Sequence, residues 1–145
     1  MFDLLIIGGR VMDGTGCPWY WADVAVEQGR IVAIGKLAGS QSRQTINADG
    51  CFVTPGFIDM HTHSDLQLLK NPLHECKIRQ GVTTDVLGHD GLGLAPITPK
   101  TQRILQTQLA GWNGELERDW DWHTITTYLD QFDNRSSVNV AMHVP

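Results

Sequence analysis

The sequence has few cysteines, no long apolar run and no excess of positive charge. Its three cysteines, Cys17, Cys51 and Cys76, include no Cys-x-x-Cys pair, which predicts reduced, buried thiols rather than a disulfide framework. The apolar run at residues 4–7 is too short to span a bilayer and follows no basic segment, so no membrane association is expected. A net charge of −5 argues against nucleic acid as a partner. Together these absences predict a cytoplasmic protein.

Residues 1–52 show short alternating segments separated by turn signals. Residues 23–27 and 30–34 alternate on either side of Gln28-Gly29, where glycine can take the positive φ of a tight turn, so we predict a β-hairpin. Further strands are predicted at residues 4–7 and 45–46. This part of the chain therefore predicts a small β domain.

From residue 53 the pattern changes to strands that alternate with helices, which predicts an α/β fold with βαβ units and a parallel sheet. Three helices, each with a capping residue before it, are predicted at residues 73–80, 99–110 and 122–132. The predicted caps are Asn71, Thr98 and Asp121, and Gly111 is expected to end the second helix. Strands at residues 82–87 and 138–144 follow the first and third helices. Residues 111–120 contain two tryptophans without a clear period, which predicts a connector fixed by a buried tryptophan; a substrate-facing loop is the alternative.

The strongest functional signal is Pro55-Gly56-Phe57-Ile58-Asp59-Met60-His61-Thr62-His63. Val53, Phe57 and Ile58 predict a buried strand, and side chains two residues apart on a strand point to the same face. His61 and His63 would then converge near the C-terminal end of that strand, where parallel sheets bind ligands. Neutral imidazoles suit Zn²⁺ and related ions, so we predict a metal site. A chance pair of surface or core histidines is the alternative.

Residues 53–65 resemble the first barrel strand of the amidohydrolase superfamily of metal-dependent hydrolases. The segments Gln80-Gly81-Val82-Thr83-Thr84, Gly88-His89-Asp90-Gly91 and Ala95-Pro96 are similar to its N-acyl-D-amino acid deacylase branch. The resemblance implies a (β/α)₈ TIM-like barrel, which takes about 250 residues. Residues 53–145 would be the first portion of that barrel, with about three strands, and residues 1–52 the N-terminal part of a small β-sandwich segment. We therefore expect a portion of a longer enzyme that is inactive alone; a self-sufficient small α/β domain is the alternative.

The resemblance also implies metal ligands. The resembled deacylases have a ligating cysteine within Gly-Asn-Cys-Gly, where this chain has Asp90. A carboxylate can also bind or bridge metal ions, so the predicted ligands of one or two divalent ions, zinc first, are His61, His63 and Asp90. The alternative for Asp90 is a turn residue before Gly91.

Three further residues are expected beside the metal, where they would orient a ligand or contact substrate: Asp59, Asp65 and His89. A solvated or capping role is the simpler expectation for Asp65. His74 and His123 are expected at the surface or between layers, and His143 is expected to have no metal role. The resemblance places two more histidine ligands and a catalytic aspartate on strands beyond Pro145.

A zinc ion can polarise an amide carbonyl and activate water, so the predicted activity is hydrolysis of an amide C–N bond. The resemblance implies a small-molecule substrate, an N-acyl-D-amino acid. Two alternatives remain open. One is a cyclic-amide hydrolase of the dihydropyrimidinase or dihydroorotase kind, and the other is a non-catalytic metal-binding module.

Overall fold

The computed structural model describes residues 1–144, which form two compact units divided between Pro55 and Gly56. The first unit is a five-stranded β-sheet. Its strands are β1 (Phe2–Val11), β2 (Tyr20–Glu27), β3 (Arg30–Gly35), β4 (Ser42–Asn47) and β5 (Phe52–Val53). The order is β3-β2-β1-β4, with β5 also paired to β1. The β1–β2 and β2–β3 pairs are antiparallel, whereas β4 and β5 run parallel to β1.

The predicted hairpin is confirmed. β2 and β3 pair on either side of Gln28 and Gly29, which both have positive φ, 51° and 72°. The first strand is longer than residues 4–7 because it continues through an irregularity between Ile6 and Gly9. Gly8 has a φ of 71° there, a conformation that glycine takes without strain, so the strand resumes after the bulge.

The second unit has a parallel three-stranded sheet flanked by helices. Its elements are β6 (Phe57–Asp59), α1 (Asp65–Lys70), α2 (Glu75–Ile78), β7 (Val82–Leu87), α3 (Pro99–Asn113), α4 (Ile125–Leu129) and β8 (Asn139–Met142). The strand order is β6-β7-β8, and both pairs are parallel. The prediction of an α/β unit with a parallel sheet is confirmed.

The first predicted helix is wrong in its start. The sequence did not predict α1. Asn71 ends this helix instead of starting the next one, and its N–H donates to the Gln67 carbonyl (2.8 Å). Pro72 follows, as is common after a helix end, and α2 covers four residues of the predicted 73–80.

The second and third predicted helices are correct in position but not in extent. Thr98 caps α3 as predicted, with its hydroxyl accepting from the Thr101 N–H (3.2 Å). Gly111 lies inside α3, because one interior glycine costs only about 1 kcal/mol, and the helix ends at Gly114 instead. The cap of α4 is Thr124 rather than Asp121, since Thr124 and Thr127 form a reciprocal capping box.

A single apolar cluster holds the second unit together. Its buried aromatic members are Trp120, Trp122, Tyr128 and Phe132. The Trp122 indole donates to the Leu94 carbonyl (2.9 Å), so the polar edge of this ring is also satisfied. The buried tryptophan predicted to fix the connector before α4 is confirmed, and it is Trp120.

Two burial predictions are wrong. Phe57 and Ile58 are more than half exposed, and they lie on β6, an edge strand of the described sheet. Val53 is not part of that strand: it belongs to β5 and pairs with β1 within the first unit. The three cysteines are unpaired and exposed rather than buried.

No helix within residues 1–144 has the length and apolar character needed to cross a membrane.

Candidate metal centre

His61 and His63 lie on the loop between β6 and α1, not on the strand. β6 ends at Asp59, whose carboxylate accepts the His61 N–H (3.2 Å), and this contact turns the chain out of strand geometry. The prediction that both rings share a strand face is therefore wrong. The two rings still meet, with their centroids 5.5 Å apart and their planes at 73°.

Asp90 joins them from the turn after β7. Its φ of 57° is left-handed, and Gly88 and Gly91 on either side have φ values of 81° and 72°. Asp90 Oδ2 lies 3.2 Å from His61 Nε2 and 3.3 Å from His63 Nε2. The hydrogen bond with His61 is the main cause that lowers the pKa of Asp90.

The structure thus brings the three predicted ligands together, with one donor atom from each within 4.8 Å of the others. Two ligand atoms at about 2.1 Å from a tetrahedral ion lie roughly 3.4 Å apart, close to the two distances from Asp90 Oδ2. His63 Nδ1 is buried and has no hydrogen-bond partner within the described chain. The donor set, two imidazoles and a carboxylate, fits zinc and also its harder first-row neighbours.

Asp59 contacts the backbone of the loop that carries His61 and His63, not an imidazole ring. Its carboxylate pairs with Lys77, and this contact is the main cause that lowers the pKa of Asp59. Lys77 also donates to the Thr62 hydroxyl (3.1 Å). The pair therefore holds the backbone on both sides of His61.

Asp65 was expected in a solvated or capping role. It is buried, so the solvated role is wrong, and Ser64 rather than Asp65 occupies the cap position of α1. Asp65 Oδ1 accepts the Gly88 N–H (3.1 Å), which ties the start of α1 to the turn that carries Asp90. Tyr128 donates its hydroxyl hydrogen to the Asp65 carbonyl (2.9 Å). Burial raises the pKa of the Asp65 carboxyl to about 6.

His89 lies beside the cluster and stacks on His61, with centroids 4.3 Å apart and planes at 9°. Its Nε2 lies 2.9 Å from the Val86 carbonyl oxygen. A carbonyl oxygen only accepts, so Nε2 carries the ring hydrogen and the ring orientation is fixed. His143 packs against His89 (4.5 Å) but is not part of the three-residue cluster. His123 is exposed, as predicted.

One buried polar pair was not predicted. His74 Nε2 lies 3.0 Å from Asp85 Oδ2, and both side chains are almost fully buried. His74 is therefore an interlayer residue rather than a surface one. A signal was present, because a carboxylate that lies inside a strand and faces the core requires a buried partner.

Trp112 is the second missed feature. It lies in the last turn of α3, with its ring centroid 5.0 Å from that of His63 and the planes at 52°. The sequence pattern could not separate its surroundings from those of the buried Trp120.

Comparison with known proteins identifies relatives. A model of the Amidohydrolase family matches residues 44–143. The D-aminoacylase of Alcaligenes xylosoxydans xylosoxydans is 46% identical over 96 residues, which are 66% of this chain and 20% of that protein. The chain therefore spans about a fifth of the length of this relative.

Two solved structures resemble nearly the whole chain. A D-aminoacylase with a binuclear metal centre has a TM-score of 0.79 at 38% identity, covering 99% of this chain and 30% of its own. The N-acyl-D-glutamate deacylase of Bordetella bronchiseptica, complexed with zinc and a phosphonate that mimics the tetrahedral intermediate, has a TM-score of 0.78 at 35% identity. The match covers 99% of this chain and 29% of that one.

Proposed function

The chain belongs to the amidohydrolase family, and from this premise we propose that the protein hydrolyses the amide bond of N-acyl-D-amino acids with a divalent metal ion. Zinc is the first candidate, as one or two ions. The observation that carries the proposal is the convergence of His61, His63 and Asp90, three residues from two loops at the same end of adjacent parallel strands. That end of a parallel sheet is where ligands bind in α/β folds.

The chain's own residues hold and orient the donor set. His61 and His63 each offer a ring nitrogen, and Asp90 offers a carboxylate oxygen. The Asp59–Lys77 pair fixes the histidine loop, and Asp65 links that loop to the Asp90 turn. A bound divalent ion would supply a Lewis acid for the amide carbonyl and would lower the pKa of a bound water toward about 7.

The relatives support the substrate class. D-aminoacylase and N-acyl-D-glutamate deacylase are both named for N-acyl or D-amino acid substrates, and the second was solved with zinc. We extend that class to this protein as a small-molecule substrate. We also propose that β6, β7 and β8 are the first strands of a (β/α)₈ barrel and that the first unit belongs to a β-sandwich. The parallel order β6-β7-β8 with intervening helices supports the barrel.

A substrate panel tests the proposal on the full-length, zinc-loaded protein. N-acetyl-D-amino acids, their L-isomers, hydantoin and dihydrouracil are offered side by side, with release of free amine or ring-opened product measured. We expect turnover of the D-isomers that stops after dialysis against a chelator and returns with zinc. Turnover confined to the cyclic amides would favour the cyclic-amide hydrolase, and zinc binding without any turnover would favour the non-catalytic module.

A further inference from the structure

Trp112 is a large aromatic residue left accessible beside the candidate metal centre. It is 57% exposed, whereas Trp120 and Trp122 of the same unit are buried in the core. Among the described residues, its aromatic contact is with His63. Single exposed apolar residues are ordinary, so the contact with a candidate ligand, not the exposure alone, sets Trp112 apart.

The position of Trp112 is fixed by the residue that follows it. Asn113 is buried, and its carbonyl accepts hydrogen bonds from Gln67 Nε2 (3.0 Å) and Lys70 Nζ (2.9 Å). Both donors belong to α1, the helix that begins two residues after His63. The end of α3 is therefore clamped to the helix that follows the histidine loop, which fixes the backbone from which the Trp112 ring reaches His63.

We propose that Trp112 is a specificity-determining residue, whose indole forms one wall of the substrate site and contacts an apolar group of the N-acyl-D-amino acid. Ligand sites combine apolar walls with a few polar groups that fix orientation. In this site the polar groups are the side chains of His61, His63 and Asp90. A tryptophan gives a large, rigid contact surface with only two side-chain torsions to order. This inference rests on the proposed function.

Two parts of the substrate could supply that apolar group, and two series of compounds distinguish them. One series lengthens the acyl chain on D-alanine from acetyl to butanoyl to hexanoyl. The other keeps the acetyl group and changes the amino acid from D-alanine to D-leucine to D-phenylalanine. kcat and KM are measured for the full-length protein, for Trp112→Ala and Trp112→Phe, and for the control Trp21→Ala, which removes a tryptophan of similar exposure (61%) in the other unit.

We expect Trp112→Ala to lose about tenfold or more in kcat/KM for the bulkiest member of one series, since a methylene in an apolar pocket is worth about 10-fold to 200-fold. N-acetyl-D-alanine should change less than about twofold, metal content should be unchanged, and Trp112→Phe should recover most of the loss. The series that responds identifies the group that Trp112 contacts.

Equal loss across both series, loss of metal, or no change relative to Trp21→Ala would each overturn the proposal. If the wild-type protein hydrolyses no member, the proposed function fails. The same compounds then serve as unreacted ligands, and calorimetric Kd values decide separately whether Trp112→Ala removes the gain in affinity with apolar size.

Discussion

Replacing Asp90 tests how the candidate metal centre is built. One of its carboxylate oxygens faces both histidine rings, at 3.2 and 3.3 Å, so its loss removes a donor shared by the whole cluster. Loss of a residue that supports a metal ligand lowers metal affinity by about 10-fold to 100-fold, and loss of a ligand itself should weaken binding at least as much. We expect the zinc affinity of Asp90→Asn to fall in this way, because the asparagine side chain keeps the shape of the aspartate but not its charge.

The backbone decides the choice of variants. Asp90 has a φ of 57°, a conformation that asparagine adopts with less strain than alanine does. Asp90→Asn therefore separates loss of the charge from strain in the turn, whereas Asp90→Ala combines the two. Asp90→Cys should retain binding and shift the preference from Mn²⁺ and Co²⁺ toward zinc, because a thiolate is the softer donor.

The assay is competition between the full-length protein and a chromophoric chelator, run with zinc and with Mn²⁺ for each variant. Thermal unfolding of the metal-free proteins controls for folding. If the zinc affinities of Asp90→Asn and Asp90→Ala both lie within about twofold of the wild-type value, Asp90 is a turn residue and not a metal ligand.

Two further predictions concern stability. His74→Ala should lower the free energy of unfolding by about 3 kcal/mol, because it leaves the buried Asp85 carboxylate unpaired. The exposed control Glu75→Ala should lower it by less than about 0.5 kcal/mol. Urea denaturation measures both values, and equal losses would show that the His74–Asp85 pair does not stabilise the fold. Burial raises the pKa of Asp65 to about 6 from 3.8, so the folded, metal-free protein binds the proton more tightly than the unfolded chain does. The free energy of unfolding should therefore fall by up to about 3 kcal/mol as pH rises from about 4 through 6. Asp65→Asn should lack this fall, and parallel pH profiles for the two proteins would exclude Asp65 as its source.

The sequence predicted best those features that local chemistry determines. The β2–β3 hairpin follows from alternation around a glycine turn, and the start of α3 follows from the Thr98 cap. The ends of elements were harder, because they depend on tertiary contacts. Gly111 looked like a helix end, yet Asn113 is held by hydrogen bonds from α1 that a sequence pattern does not show.

The three candidate ligands named from the sequence lie together, but not in the predicted geometry. His61 and His63 do converge, yet they do so from a loop held by Asp59 and not from a shared strand face. Asp90 reaches them because its turn adopts a left-handed backbone. Trp112 could not be found from the sequence, since its distance from His63 depends on how α3 packs against α1.

The candidate metal centre is tested most directly by counting the zinc ions that His61 and His63 hold. Metal-depleted full-length protein is equilibrated with zinc by dialysis, and bound metal is measured by elemental analysis for the wild type, for His61→Ala/His63→Ala and for the exposed control His123→Ala. We expect the double variant to bind at least one equivalent less zinc than the wild type and the control to match the wild type. Equal zinc stoichiometry in all three proteins would contradict the assignment of a metal centre to this cluster.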